Sequence, residues 1–368
     1  MSRRAREAGA INLGQGFPDP GLPHGAPDDV IAVAADALVT GSNQYPPMLG
    51  LPELRAAIAA HYVTHQTLDL SLDEVIVTSG ATEAIAATIL ALVSPGDEVV
   101  MFAPTYDAYR PLVERAGAVA RLVRLTPPDW RMTAEALETV GSARTKLVIL
   151  NAPLNPTGSV ASREELALLA DFCIAHDAYA LCDEVWEHLV FDGVHVPLMT
   201  LPGMRARCVK IGSAGKIFSL TGWKVGWLCA APSLAAVIAR AHQFLTFTTP
   251  PNLQAGVAHG LGKDAGWFAA MTGGYRGSRD HLVAGLRARG YAVLPSPATW
   301  FVTVDLTASG IALDDTAWCD WAIDTIGVAA IPVSAFYDEN PVTNVVRLCH
   351  AKAPATLDAA LARLDRRP

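Results

Sequence analysis

Short apolar runs rich in β-branched residues recur along the chain, each followed by a turn of small residues and then by apolar positions at helical spacing. That alternation predicts strand–turn–helix units and a mostly parallel sheet. The clearest units are Glu74–Thr78 before a helix from Ala81, Glu98–Phe102 before Tyr106–Ala116, and Lys146–Leu150 before a helix opening near Ser162. Ala178–Cys182, Cys208–Gly212 and Val225–Ala230 read as further strands. Ser162-Arg-Glu-Glu165 has the spacing of a capping box, in which each side chain satisfies an amide of the first helical turn. From about Asp264 the pattern changes to a long charged helical stretch. Strands at Trp300–Asp305 and Val345–Cys349 follow, with helices at Asp314–Ile326 and Pro354–Asp365, which together suggest a smaller α+β unit.

Composition narrows the class. With 368 residues, 51% hydrophobic and 17% charged, the chain can bury a large core and is neither a stapled miniature nor disordered. The longest apolar stretch, Ala84–Val93, is interrupted by Thr88 and stops at Ser94-Pro95-Gly96, too short to cross a bilayer. Arg3, Arg4 and Arg6 have no apolar segment behind them, so the start does not read as a secretory signal. Scattered basic residues and a net charge of −8 argue against nucleic acid as a partner. The six cysteines lie far apart, with no CxxC pair and no histidine at ligand spacing, so neither a disulfide framework nor a metal site is expected. Cytoplasmic small-molecule chemistry is the expectation.

Two of only six lysines fall in Ile211-Gly-Ser-Ala-Gly-Lys216-Ile-Phe-Ser-Leu-Thr-Gly-Trp-Lys224. A half-buried amine beside a second cation has a depressed pKa, as Schiff-base chemistry with a carbonyl requires; a lysine snorkelling from a helix end is the plainer alternative. Asp183 follows an apolar strand directly, where acids face the ligand crevice of a parallel sheet and where a carboxylate could keep a pyridine nitrogen protonated. It could equally cap a helix. Thr78-Ser-Gly-Ala81-Thr82-Glu83 leads a strand into a helix through small residues and offers free amides to a phosphate. Asn151-Ala-Pro-Leu-Asn155-Pro-Thr-Gly158 is a turn carrying an amide that can donate to a ligand oxygen.

Taken together, these motifs resemble the class I, fold-type I aminotransferases that use pyridoxal 5′-phosphate. Similarity is strongest to the subgroup of kynurenine/glutamine transaminases, methionine aminotransferases and N-succinyldiaminopimelate aminotransferases, and it runs from Ile11-Asn-Leu-Gly-Gln-Gly-Phe-Pro-Asp19 to the C-terminal helix. The resemblance implies an α/β fold with a seven-stranded, mostly parallel sheet in a large domain of residues 36–265, and a small domain from residues 1–35 and 266–368. It implies Lys216 as Schiff-base lysine and proton carrier, Asp183 as partner of the pyridine nitrogen, and Tyr106 as the aromatic stacked on the ring. Asn155 matches the contact to the phenolic oxygen and lies near the substrate carboxylate. Ala81, Thr82, Ser213 and Lys224 match the phosphate cradle. Arg347, in Val-Val-Arg-Leu-Cys-His, matches the guanidinium that grips the substrate α-carboxylate, a task suited to a planar fork; Gly16 matches a backbone contact to the same group. Tyr45 and the Phe244–Thr249 segment match parts that reach a neighbouring subunit's site, which implies a homodimer.

The implied reaction is ping-pong transamination between an aromatic, methionine-like or glutamine-like L-amino acid and a 2-oxo acid. β-Elimination from cysteine conjugates and a non-catalytic cofactor-binding regulatory module are the alternatives; retention of Lys216, Asp183 and Arg347 opposes the second. Three positions depart from the pattern. Trp186 stands where relatives carry a tyrosine that bonds the cofactor's phenolic oxygen, and an indole N–H donates but cannot accept. The chain begins only a short way before Ile11, where relatives carry a longer segment. His350 stands where an apolar aromatic is usual.

Overall fold

The computed structural model describes residues 2–368. Seven strands form the large sheet: β1 (Val75–Thr78), β2 (Glu98–Ala103), β3 (Val119–Arg124), β4 (Thr145–Asn151), β5 (Tyr179–Asp183), β6 (Cys208–Ser213) and β7 (Gly226–Cys229). Their spatial order is β1-β7-β6-β5-β4-β2-β3, and only β7 runs against its neighbours. Helices on both sides bury the sheet, so the central strands carry continuous apolar runs such as Leu147-Val-Ile-Leu150. Four strand ends meet at one edge of the layer. Asn151 of β4 is in register with Asp183 of β5, while Ser213 of β6 and Thr78 of β1 both pair with Gly226 of β7. Carboxyl ends of parallel strands converge here, where an open α/β sheet offers its crevice.

A second, four-stranded sheet contains β8 (Ala292–Val293), β9 (Phe301–Asp305), β10 (Ile331–Pro332) and β11 (Val345–Cys349), in the order β10-β11-β9-β8. Ile11–Asn12 pairs with Val328–Ala329, tying the start of the chain to this region. Leu13, Leu282, Leu286, Val304, Trp318 and Leu348 belong to its core, which is distinct from the larger core around the seven-stranded sheet. The helix Ala265–Ala288 serves both: Phe268, Met271 and Tyr275 pack into the large core, Leu282 and Leu286 into the small one.

The capping box forms as expected, with Ser162 Oγ accepting from Glu165 N and Glu165 Oε2 accepting from Ser162 N. Several expected boundaries move. Tyr106 lies in a loop, because the helix expected from Tyr106 starts only at Tyr109. β3 emerges as an edge strand, its polar Arg121 and Arg124 having hidden it among loop residues. The helix expected over Asp314–Ile326 ends at Trp321 and continues as one wider π turn, Ala322–Ile326, closed by Gly327 at φ +66°. All six cysteines are buried free thiols. Among the described residues no helix is long and apolar enough to cross a membrane.

Candidate active site

The converging strand ends open onto a cavity of about 160 Å³. Its floor carries Asn151, Asp183 and Ser213; its walls carry Tyr106, Asn155, Trp186 and Lys216; and its far end carries Ala81, Thr82 and Lys224. One cavity thus gathers every residue expected to hold the cofactor except Tyr45.

Lys216 sits on the short helix Ala214–Ile217 that follows β6. Its Nζ lies 4.9 Å from the ring centre of Trp186 and 5.1 Å from that of Trp300. Burial, which penalises the ammonium, brings its pKa down to about 8, against the pull of Asp183. That is a lysine poised to be a nucleophile near neutral pH. Asp183 ends β5 and is followed by a turn rather than a helix, which removes the capping alternative. Burial raises its pKa; a hydrogen bond from Tyr109 Oη, 2.5 Å from Oδ2, opposes the rise. Its other oxygen, Oδ1, is buried without any partner. A buried carboxylate oxygen left unsatisfied is costly unless a ligand donor meets it.

The phosphate end rests on local backbone geometry. Gly80 adopts φ +74° at the start of the helix Gly80–Leu92, a conformation that suits a residue without Cβ. A Cβ there would stand 3.2 Å from Lys224 Nζ, so the ammonium lies directly beside the helix start. Free amides of the first turn, the helix dipole and that ammonium all favour an anion at the same place.

Arg347 enters from β11 in the second sheet and is buried. Among the described residues no carboxylate pairs with it. Nη1 donates to Asn155 Oδ1 at 2.8 Å, Nη2 to the Gly14 carbonyl at 2.9 Å, and Nε is buried without a partner. Its guanidinium carbon lies 4.0 Å from the Phe301 ring centre, and burial lowers its pKa to about 10. This is not the surface ion pair that an arginine on a strand ordinarily makes. Gly16 touches the same wall, since a Cβ on it would fall 2.6 Å from Phe301 Cζ.

Tyr45 is absent from this cavity. Its side chain is 84% exposed and meets Phe247 edge-on at 5.7 Å; Phe244 is 85% exposed. His350, for which the sequence offered no role, is buried and hydrogen-bonds the Thr299 carbonyl through Nε2 at 3.0 Å. Residues not foreseen are Tyr109, Trp300 and Asn151, whose Nδ2 donates to the Asp183 carbonyl at 3.0 Å and whose Oδ1 accepts from Asn155 N at 2.7 Å. The repeat Tyr106-Asp-Ala-Tyr109 was the one visible signal for Tyr109. Nearby, Glu184, Glu187 and His195 have the spacing of metal ligands. Lys210 Nζ already stands 2.6 Å from both carboxylates and offsets one of their two charges, while His195 Nε2 lies 3.0 Å from Glu184 Oε2.

The residues fit pyridoxal 5′-phosphate: an unpartnered carboxylate oxygen for a pyridinium, an amine of lowered pKa for an aldehyde, and a cationic helix start for a phosphate. The family profile described as "Aminotransferase class I and II" matches residues 8–364. The solved structure of N-succinyldiaminopimelate aminotransferase from Mycobacterium tuberculosis superposes with a TM-score of 0.95 at 43% identity, covering 99% of this chain and 95% of that one. Methionine aminotransferase of Escherichia coli is 38% identical over 99% of this chain and 94% of its own length. Kynurenine–oxoglutarate transaminase 3 of Rattus norvegicus is 34% identical over 98% and 85%. Transamination is thereby favoured over the two alternatives. The chain belongs to the class I and II aminotransferases, and it is a fold-type I enzyme that uses pyridoxal 5′-phosphate to move an amino group between an amino acid and a 2-oxo acid.

Proposed function

We propose that Lys216 carries the cofactor and moves the substrate's α-proton, that Asp183 holds the pyridine nitrogen protonated, and that Arg347 binds the α-carboxylate. Tyr106, Asn155 and Trp186 would border the ring, while Ala81, Thr82, Ser213 and Lys224 would hold the phosphate. When bound, the cofactor supplies an electron-withdrawing ring that accepts charge from the substrate's α-carbon. Asp183 keeps that ring cationic through Oδ1, and Tyr109 keeps the carboxylate ionised. The lowered pKa of Lys216 lets its amine take the α-proton at neutral pH. Arg347, with Gly16 beside it, fixes the substrate so that the α-carbon faces Lys216; a carboxylate would exchange places with the neutral oxygens that Arg347 holds now. The observation that carries this reading is the unpartnered Asp183 Oδ1 in the same cavity as Lys216.

The donor in this reading is an L-amino acid with an aromatic, methionine-like or glutamine-like side chain. The walls next to Arg347 are Phe301 and Phe336, and no second cation pairs with them. Tyr45 and Phe244, two aromatic residues exposed to solvent, support a homodimer in which Tyr45 completes the partner's phosphate site. Buried free thiols fit the reducing cytoplasm. The two cores support two domains, with the large core also taking Leu22, Val30, Phe268, Tyr275 and Trp300 from outside residues 36–265.

Borohydride reduction of the holoenzyme and peptide mapping test the reading: the pyridoxyl group is expected on Lys216, and its appearance on Lys210 or Lys224 overturns it. Mixing inactive Lys216→Ala with inactive Tyr45→Ala chains is expected to restore partial activity. A fully active monomer in ultracentrifugation would reject the shared site.

A further inference from the structure

The Lys216 amine is not simply surrounded by apolar atoms. Trp186, from the turn after β5, and Trp300, from the residue before β9, present their rings to Nζ at 4.9 and 5.1 Å. The two indoles meet edge to face, with ring centres 5.0 Å apart and planes at 83°. Both are buried, with 3% and 0% of their surfaces exposed, and Trp300 Nε1 has no hydrogen-bond partner. An ammonium within about 6 Å of an aromatic face is attracted by the ring quadrupole, most strongly by indole and most of all where water is excluded.

We propose that Trp186 and Trp300 form a two-walled indole cage that holds the Lys216 ammonium, making Trp300 and Trp186 positioning residues for the lysine that moves the proton. The proposal rests on the assignment of Lys216 above. Four other groups act on the amine: Asp183 and Cys349 favour its charge, and Lys224 and Arg347 oppose it. Of these, Asp183 is the one carboxyl group, and its Oδ2 is occupied by Tyr109. The cage therefore supplies attraction that a carboxylate would otherwise give, without fixing the proton on nitrogen as an ion pair does. It also defines where the amine rests. A long, four-carbon side chain with three rotatable donors would otherwise sample many positions in the cavity, and proton transfer needs the nitrogen within hydrogen-bond reach of the carbon acid. Because Trp300 directly precedes β9 of the second sheet and Trp186 follows β5 of the first, the cage closes only when both sheets are in place.

The cage makes a signed prediction. Phenylalanine keeps the apolar wall but weakens the quadrupole, so Trp186→Phe and Trp300→Phe should each lower the pKa of Lys216 by making the ammonium less favourable. Competitive acetylation of the full-length chain freed of cofactor, read at Lys216 by peptide mass across a pH series, reports that pKa directly. A midpoint lower by roughly half a pH unit in each variant, and by about one in the double variant, is expected. Trp318→Phe, an equally buried indole of the other core, is the control and should leave the midpoint unchanged. An unchanged or raised midpoint in both cage variants overturns the proposal, as does an equal fall in the control. The labelling does not depend on where the cofactor attaches: pyridoxyl mapped to another lysine would refute the assignment of Lys216, whereas a static midpoint would refute the cage alone.

Discussion

Two lysines six positions apart, Lys210 and Lys216, are taken out of water by the same sheet and respond in opposite ways. Lys210 lies within β6, fully buried, with Glu184 and Glu187 each 2.6 Å from its Nζ. Burial alone would depress its pKa, yet the two carboxylates reverse the effect and raise it. Lys216 lies just past the same strand, where burial wins and the pKa falls to about 8. What separates a structural cation from a chemical one here is counter-charge: two carboxylates hold the charge on Lys210, whereas the two indoles beside Lys216 attract its ammonium too weakly to offset burial. Arg347 is a third case. It is buried, bonded only to neutral oxygens and lowered to about 10, a cation whose counter-ion has still to arrive.

The comparison is broken most severely at Lys210. Lys210→Met leaves Glu184 and Glu187 buried without their cation and is expected to cost about 3–5 kcal/mol in urea unfolding. A loss below about 1 kcal/mol would mean that the carboxylates find other partners. Arg347→Ala should reduce kcat/KM for amino and oxo acids alike by about a hundredfold, roughly 3 kcal/mol, with cofactor affinity nearly intact. Equal kinetics in variant and wild type would move carboxylate binding elsewhere.

Lys216→Met sharpens the contrast because it should stabilise the cofactor-free chain while abolishing transamination. A lysine whose folded pKa is about 8, against 10.5 normally, burdens the fold wherever it is protonated in both states, that is below about pH 8. The burden fades as pH rises towards 10.5. The variant should therefore exceed wild type by about 2–3 kcal/mol at pH 7, and the gap should close above about pH 10. A gap that widens with pH would reverse the sign and refute the argument. Smallest is Tyr109→Phe. It removes a donor from the Asp183 carboxylate, so the acid limb of the kcat/KM profile should move to higher pH, with activity at pH 7 lower by up to about tenfold. A limb that stays in place would show that Tyr109 does not tune Asp183.

Much of this was legible along the chain for physical reasons. Asp183 closes a five-residue strand, and a strand end is a place in space as well as in sequence. The glycines and small residues near Ala81 and Lys216 mark turns that only certain backbones make. What stayed hidden depends on contacts between distant segments. Tyr109 is an unremarkable tyrosine at a helix start until it reaches Asp183, 74 positions away. Trp300 reads as an ordinary core residue until the second sheet brings it to Lys216. Strand β3 was missed because an edge strand can afford arginines, and the π turn after Trp321 because its sequence keeps helical spacing.

The helix Ala265–Ala288 has a consequence for how the molecule comes apart. At about 1.5 Å per residue it is a rod roughly 36 Å long, anchored by Phe268 and Tyr275 in one core and by Leu282 and Leu286 in the other. Loss of either core strips half of the rod of its apolar cover, and a helix so exposed has little stability of its own. Melting of one half is thereby transmitted to the other through shared packing, and calorimetry should record one cooperative transition instead of two.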